Sequence, residues 1–268
     1  MNLLEKIIAS KRKAVEDQRA LYPVKLLEKS IYFNSECVSL KKYLLRPDKS
    51  GIIAEYKRKS PSKGMINAYA PVERTTIGYM QAGASALSIL TDAEFFGGKN
   101  EDLTLARKFN YCPILRKDFV LDEYQVIESR SIGADAILLL ANVLSAKEIK
   151  TFSQLAASLG MEVLLEVRNS KEINSCNEKI SCIGVNNRDL RDFNVDVGTS
   201  LKLAKQLPSS CARISESGID SSETILKLKR EGYNGFLIGE SFMRSSRPEK
   251  ACARLVRELQ DIPPMAGR

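Results

Sequence analysis

The 268-residue chain contains no histidine. That absence excludes Ser-His-Asp and Cys-His catalysis and histidine-ligated zinc, and it leaves acid–base chemistry to Glu, Asp, Lys, Tyr or Cys. No apolar run approaches the roughly 20 residues of a membrane-spanning helix, so no membrane partner is expected. The stretch Met1 to Ile8 lacks the basic start, long apolar segment and small-residue cleavage site of a secretory signal. A cytoplasmic location is the expectation. The six cysteines, Cys37, Cys112, Cys176, Cys182, Cys211 and Cys252, show no CxxC spacing. They read as reduced, mostly buried thiols rather than a metal or disulfide framework. Cys112, Cys182 and Cys211 each begin an apolar run, as small core residues do.

What is present points to one large packed unit. Apolar residues make up 44% of the chain and the net charge is +8, which suits a globular protein with a sizeable core. The positive charge has two readings. One is a solvated basic surface, exemplified by Lys6, Lys11, Arg12 and Lys13 on a single N-terminal helix; the other is attraction of an anionic partner. Without an RNP, KH or zinc-finger signature or basic–aromatic interleaving, nucleic acid is not expected as that partner.

Eight short apolar or small-residue runs recur: Ile52–Ala54, Ala86–Leu90, Pro113–Leu115, Ala136–Leu140, Val163–Leu165, Cys182–Val185, Cys211–Ile214 and Gly235–Ile238. Several are nearly all apolar, as parallel strands buried on both faces should be. Arg213 is an exception within its run. Helix signals lie between them. Pro71 suits a first helical position, and Asp122…Gln125, Ser145…Glu148, Asp220…Glu223 and Ser246…Glu249 suit capping boxes or their Asp analogues. Leu144, Ile149, Phe152, Leu155, Ala156 and Leu159 form an approximate helical stripe that reads as core packing. Strand followed by helix, eight times, predicts an α/β protein with a single (β/α)8 TIM barrel. An open doubly wound sheet is the runner-up, but no run is followed by GxGxxG or GxxxxGK[ST]. Residues 1–50 read as an N-terminal helical extension, with Met1–Ala20 amphipathic and Ile31–Leu45 a second helical or irregular piece. The expectation is one domain over residues 1–268.

Catalytic groups of such barrels sit at the C-terminal ends of strands. Glu55 and Lys57 follow the first run two residues apart, so on a strand they share a face. Buried charges persist either by satisfying one another or because a site needs them. Lys117 follows the third run, Glu166 the fifth and Asn186 the sixth, all converging on one mouth in a barrel. Carboxylates set among ammonium groups hold one another charged and tune proton transfer. After the seventh and eighth runs come Ser215-Glu216-Ser217-Gly218 and Gly239-Glu240-Ser241. The glycines either make tight βα turns or let the backbone approach a phosphate, which barrels often bind in these loops. Phe95-Phe96-Gly97-Gly98 is either core packing or a wall or lid over a planar substrate. Arg58 and Lys59 read as flanking surface charge.

Ile53-Ala54-Glu55-Tyr56-Lys57-Arg58-Lys59-Ser60-Pro61-Ser62-Lys63-Gly64, Ile114-Leu115-Arg116-Lys117-Asp118-Phe119 and Ser215-Glu216-Ser217-Gly218-Ile219 together resemble the indole-3-glycerol phosphate synthase family. Further matching stretches run from Ala86 to Gly98, Gly133 to Leu139, Gly184 to Leu190 and Leu237 to Glu240, in family order. The resemblance implies decarboxylating, dehydrating ring closure of 1-(2-carboxyphenylamino)-1-deoxyribulose 5-phosphate to indole-3-glycerol phosphate, with no metal and no cofactor. It implies Lys117 as general acid and Glu166 as general base. Lys57 would contact a substrate anion and share the acid roles in an order the motif leaves open, and Glu55 and Asn186 would orient these groups. Substrate binding would fall to Ser60, Phe119, Arg188, Ser217, Gly218, Gly239 and Glu240, with Phe119 on the aromatic ring and the last four around the phosphate. A glutamate beside a phosphate requires its carboxylate to be turned away. Ser215 departs from the apolar or small residue expected before Glu216. The expected partner is a small anionic phosphorylated substrate, and the expected assembly is a monomer or weak homodimer.

Overall fold

A computed structural model describes residues 2–189 and 193–261; Leu190, the last residue of one motif above, and residues 262–268 lie outside them. Eight parallel strands close into a barrel: β1 (Ile52–Tyr56), β2 (Ala86–Leu90), β3 (Ile114–Lys117), β4 (Ala136–Leu140), β5 (Glu162–Val167), β6 (Cys182–Asn186), β7 (Ala212–Glu216) and β8 (Gly235–Ile238). β8 returns to pair with β1, Leu237 beside Ile53. The eight runs locate the strands. However, β1, β3, β5, β6 and β7 continue one or two residues beyond the apolar stretch. Their charged and amide residues are thus part of the barrel wall, not of the loops after it.

Alternation along each strand builds two cores. Ile53, Leu115, Leu138, Leu164, Cys182, Ile214 and Leu237 fill the interior. Ile52, Leu87, Ile114, Leu139, Val163, Ile183 and Phe236 face outward against the helices. Arg213 is one of the outward positions: its backbone N–H donates to Asn234 Oδ1 at 2.9 Å and its guanidinium donates to the Leu207 carbonyl at 2.8 Å. Ser215 also faces outward. Its hydroxyl lies 3.1 Å from Asn187 Nδ2 and 2.7 Å from Ser200 Oγ, a buried polar tie between β7 and helix Gly198–Leu203.

Three helices precede the barrel: α1 (Leu3–Leu21), α2 (Val24–Leu27) and α3 (Leu40–Leu45). Asn2 caps α1 through a reciprocal box with Glu5. Leu40 and Leu44 of α3 join the interior core and close the barrel at the N-terminal ends of its strands. At the other end, Leu3, Leu4 and Ile7 of α1 line the mouth.

The Ser145–Glu148 box forms, but the other three do not. Asp122 caps through Tyr124 while Gln125 turns to the Leu121 N–H. Ser221, not Asp220, caps helix Ser222–Arg230. Arg247 precedes Pro248 with no side-chain cap, and Glu249 pairs with Arg247 instead. Pro71 stands just before helix Val72–Gln81 rather than inside it.

Two charges expected at the surface are not there. Lys11 is buried and paired with Asp92 and Asp118. Arg58 grips Asp102 with both terminal guanidinium nitrogens and lies 4.9 Å from the centre of the Tyr56 ring. In both cases a distant carboxylate removes the penalty of burying a cation. Lys59 is half-buried, with Nζ 2.8 Å from the Glu94 carbonyl oxygen.

Candidate active site

Each inward strand position at the mouth belongs to a layer. In a tilted eight-stranded barrel, four side chains from alternate strands share one layer, and two strands of travel correspond to two residues of advance. Glu55 pairs with Ser88, which pairs with Leu115; two residues on is Lys117. Glu166 pairs with Gly184, which pairs with Ile214; two residues on is Glu216. Glu216 pairs with Leu237, which pairs with Ile53; two residues on is Glu55. The uppermost layer of the odd strands is therefore Glu55, Lys117, Glu166 and Glu216: one ammonium among three buried carboxylates.

Lys117 Nζ lies 3.4 Å from Glu166 Oε2 and 3.5 Å from Glu216 Oε2. Burial alone would lower the lysine's proton affinity, but Glu166, Glu216 and Glu55 outweigh it and raise the affinity well above the ordinary value. Lys57 Nζ donates to Glu55 Oε1 at 2.6 Å. Burial pushes the Glu55 carboxyl up, yet Lys57, then Lys117 and Arg188, hold it below the usual carboxylate range. Asn186 Nδ2 donates to Glu166 Oε1 at 3.0 Å, and Asn186 Oδ1 accepts the Arg188 N–H at 2.9 Å. The amide thus fixes one carboxylate oxygen while Lys117 faces the other.

Glu216 differs from its neighbours. It is 1% exposed, and neither carboxylate oxygen has a hydrogen-bond partner among the described residues. Burial raises its pKa to about 8, with Lys117 opposing and Glu166 and Glu55 reinforcing. Space for it is made by Gly184, where an added Cβ would meet Glu216 Oε1 at 2.3 Å. Glu216 was not among the site residues expected from sequence. Its place before Ser217-Gly218 looks like the start of a turn, but the layer rule, applied to Glu55, Lys117 and Glu166, points to the residue on the seventh strand.

Of the twelve expected site residues, all line the pocket at the mouth except Gly218 and Gly239. Its walls divide by chemistry. Leu3, Leu4, Ile7, Phe96, Phe119 and Leu140 make an apolar side, with the Phe96 and Phe119 rings 6.1 Å apart. Ser60, Ser62, Arg188, Ser217 and Glu240 make a polar one. Arg188 donates to Glu240 Oε2 at 3.0 Å and Arg244 to Oε1 at 2.9 Å, so the Glu240 carboxylate is neutralised by two guanidinium groups. Ser217 and Gly218 both hold positive φ, 68° and 72°. For a serine that conformation is strained, and strain of this kind gathers at binding sites. Gly239 has a different reason for being glycine: a Cβ there would meet Glu55 Oε1 at 2.4 Å.

No group of His, Cys, Asp or Glu among the described residues could hold a metal ion. No helix there is long and apolar enough to cross a membrane.

A family model described as indole-3-glycerol phosphate synthase matches residues 4–255. The chain belongs to the indole-3-glycerol phosphate synthase family. An indole-3-glycerol phosphate synthase of Bacteroides thetaiotaomicron is 43% identical over 259 residues, covering 97% of this chain and 99% of that protein. Those of Salinibacter ruber and Carboxydothermus hydrogenoformans are 38% and 39% identical, covering 98% and 92% of the chain and 98% and 97% of their own lengths. Among solved structures, 3-hexulose-6-phosphate synthase from Salmonella typhimurium superposes with a TM-score of 0.62 at 12% identity, over 78% of this chain and 98% of that one. A tryptophan synthase structure from Pyrococcus furiosus gives 0.59 at 14% identity, over 80% and 99%. These two likenesses establish the barrel; membership of the synthase family rests on the sequence relatives.

Proposed function

We propose that the barrel mouth closes an indole ring. The substrate is 1-(2-carboxyphenylamino)-1-deoxy-D-ribulose 5-phosphate, and the products are indole-3-glycerol phosphate, carbon dioxide and water. The observation that carries the reading is the layer of Glu55, Lys117, Glu166 and Glu216, set between an apolar wall and a polar one in a member of this family.

The substrate's two ends match the two walls. Its phosphate suits the backbone N–H groups around Ser217, Gly218 and Gly239, with Glu240 kept harmless by Arg188 and Arg244. Its carboxyphenyl ring suits Phe119, Phe96 and the leucines. Its carboxylate suits Lys57, which Glu55 holds in place.

The ring carbon bearing the carboxylate attacks the ketone carbon. The carbonyl oxygen becomes a strong base as the bond forms, and Lys117, kept protonated by the charges of Glu166 and Glu55, gives it a proton. Loss of carbon dioxide returns electrons to the ring. The new hydroxyl then leaves as water, taking a proton from an ammonium, while Glu166, held by Asn186, accepts the proton lost from the ring system. Lys57 and Lys117 both stand within the site to supply that second proton. Glu216, protonated at neutral pH, keeps the negative charge of the layer low enough for an anionic substrate to enter.

Incubation with the substrate should generate indole fluorescence in the wild type. It should not do so in Lys117→Met of unchanged circular dichroism. Turnover near wild-type in that variant would remove Lys117 from the mechanism.

A further inference from the structure

The helix before the barrel carries a buried cation that the proposed chemistry does not use. Lys11 Nζ lies 2.8 Å from Asp92 Oδ2 and 2.8 Å from Asp118 Oδ1. Side-chain exposure is 10% for the lysine and 4% and 2% for its partners, so these are desolvated contacts and not surface pairs. Both carboxylates are already committed to loop backbone. Asp92 Oδ1 accepts the N–H groups of Phe95 and Phe96 at 2.8 and 3.3 Å. Asp118 Oδ1 accepts the Phe119 N–H at 2.8 Å. One ammonium therefore joins the two loops that present Phe96 and Phe119 to the pocket. It sits one helical turn after Ile7, which lines the same wall. Without the Lys11 ammonium, Asp118 would keep the Arg116 guanidinium at 3.2 Å and the Thr91 hydroxyl at 2.6 Å, whereas Asp92 would lose the cation that offsets its burial and would no longer be tied to the Asp118 loop.

We propose that Lys11 is a positioning residue for the aromatic half of the site. It pins the loops after β2 and β3 to α1, and so sets the spacing of Phe96 and Phe119 around the planar ring that the proposed function places there. Its effect is confined to that half. The phosphate end, built from the loops after β7 and β8, has no contact with the Lys11–Asp92–Asp118 bridge among the described residues.

The test compares the two ends in Lys11→Met. The intrinsic fluorescence of 2-aminobenzoate reports binding at the aromatic end without turnover, and calorimetry with inorganic phosphate reports the other end. Loosening an aromatic pair is expected to weaken 2-aminobenzoate and raise KM by about tenfold. The Kd for phosphate should stay within about twofold and kcat within about threefold, both smaller than the tenfold that 1.4 kcal/mol represents. Lys11→Arg, which keeps the cation, should recover most of the loss. Equal weakening at both ends, or unchanged 2-aminobenzoate affinity, overturns the proposal, as does failure of the wild type to bind 2-aminobenzoate. If Lys11→Met does not fold, Asp92→Asn must show the same one-ended loss for the proposal to stand. A wild type that binds both probes but leaves the ribulose phosphate unchanged would sink the ring-closure reading and leave this comparison intact.

Discussion

Glu216 faces Lys117 across the barrel mouth at 3.5 Å, while the same ammonium lies 3.4 Å from Glu166. One cation thus stands between two carboxylates, of which Asn186 holds only Glu166. The asymmetry gives the two acids different states at neutral pH: Glu216 carries a proton up to about pH 8.

That proton makes stability depend on pH in a particular direction. Glu216 is raised from an ordinary 4.5 to about 8 on folding, so between those values the native chain binds a proton that the unfolded chain has lost. Its contribution is complete below about pH 4.5 and disappears as pH rises through about 8. Thermal midpoints of the wild type should fall across that window, and Glu216→Gln should show a flatter profile. Parallel profiles for the two proteins would mean that Glu216 is ionised throughout.

Lys117→Met removes the cation that three carboxylates share. Loss of a positioned general acid typically costs on the order of 100-fold or more in kcat. We expect that loss in a steady-state fluorescence assay, with the wild-type circular dichroism spectrum retained.

Gly239→Ala separates packing from phosphate binding. The new methyl would overlap Glu55 Oε1, at 2.4 Å, on a backbone of φ −128° and ψ −63° that lies outside the main helical and extended regions of alanine. The variant should lose kcat through displacement of the Glu55–Lys57 pair while retaining most of its affinity for inorganic phosphate. A selective loss of phosphate affinity would return Gly239 to the phosphate cradle alone.

Arg58→Ala leaves the Asp102 carboxylate, 2% exposed, without its guanidinium. Breaking a largely buried pair should destabilise the fold by about 2–3 kcal/mol in urea unfolding. It should also free the segment after β1 that carries Ser60. A change below about 0.5 kcal/mol is what a solvated surface charge would give.

The barrel was legible because strands buried on both faces are nearly uninterrupted apolar runs, as Ala86–Leu90 and Ala136–Leu140 show. The strand ends were not. A charge after an apolar run looks like the start of a loop, whereas Lys117, Glu166 and Glu216 are inward residues of strands that still pair with their neighbours. Glu55, Lys57, Lys117, Glu166 and Asn186 stood out as charged or amide residues at the ends of apolar runs; Glu216 was hidden by the Ser-Gly turn behind it. Lys11 and Arg58 could not be placed because their partners are remote: Asp102 lies 44 residues from Arg58, and Asp92 and Asp118 belong to two strand ends far along the chain from α1. Local sequence carries no trace of such a pair. The glycines show the same limit, since only the folded register sets Gly184 beside Glu216 and Gly239 beside Glu55.

The floor made by Leu40 and Leu44 of α3 has a consequence for traffic. Below the charges the interior is filled by Ile53, Leu115, Leu164 and their neighbours, and α3 covers that filling from beneath, so the barrel is open at one end only. Whatever reacts on the layer of charges enters and departs through the same rim, where Leu3, Leu4 and Ile7 of α1 stand. Arrival of the next substrate molecule must therefore wait for the last product to clear, and the first turn of α1 stands where that exchange takes place.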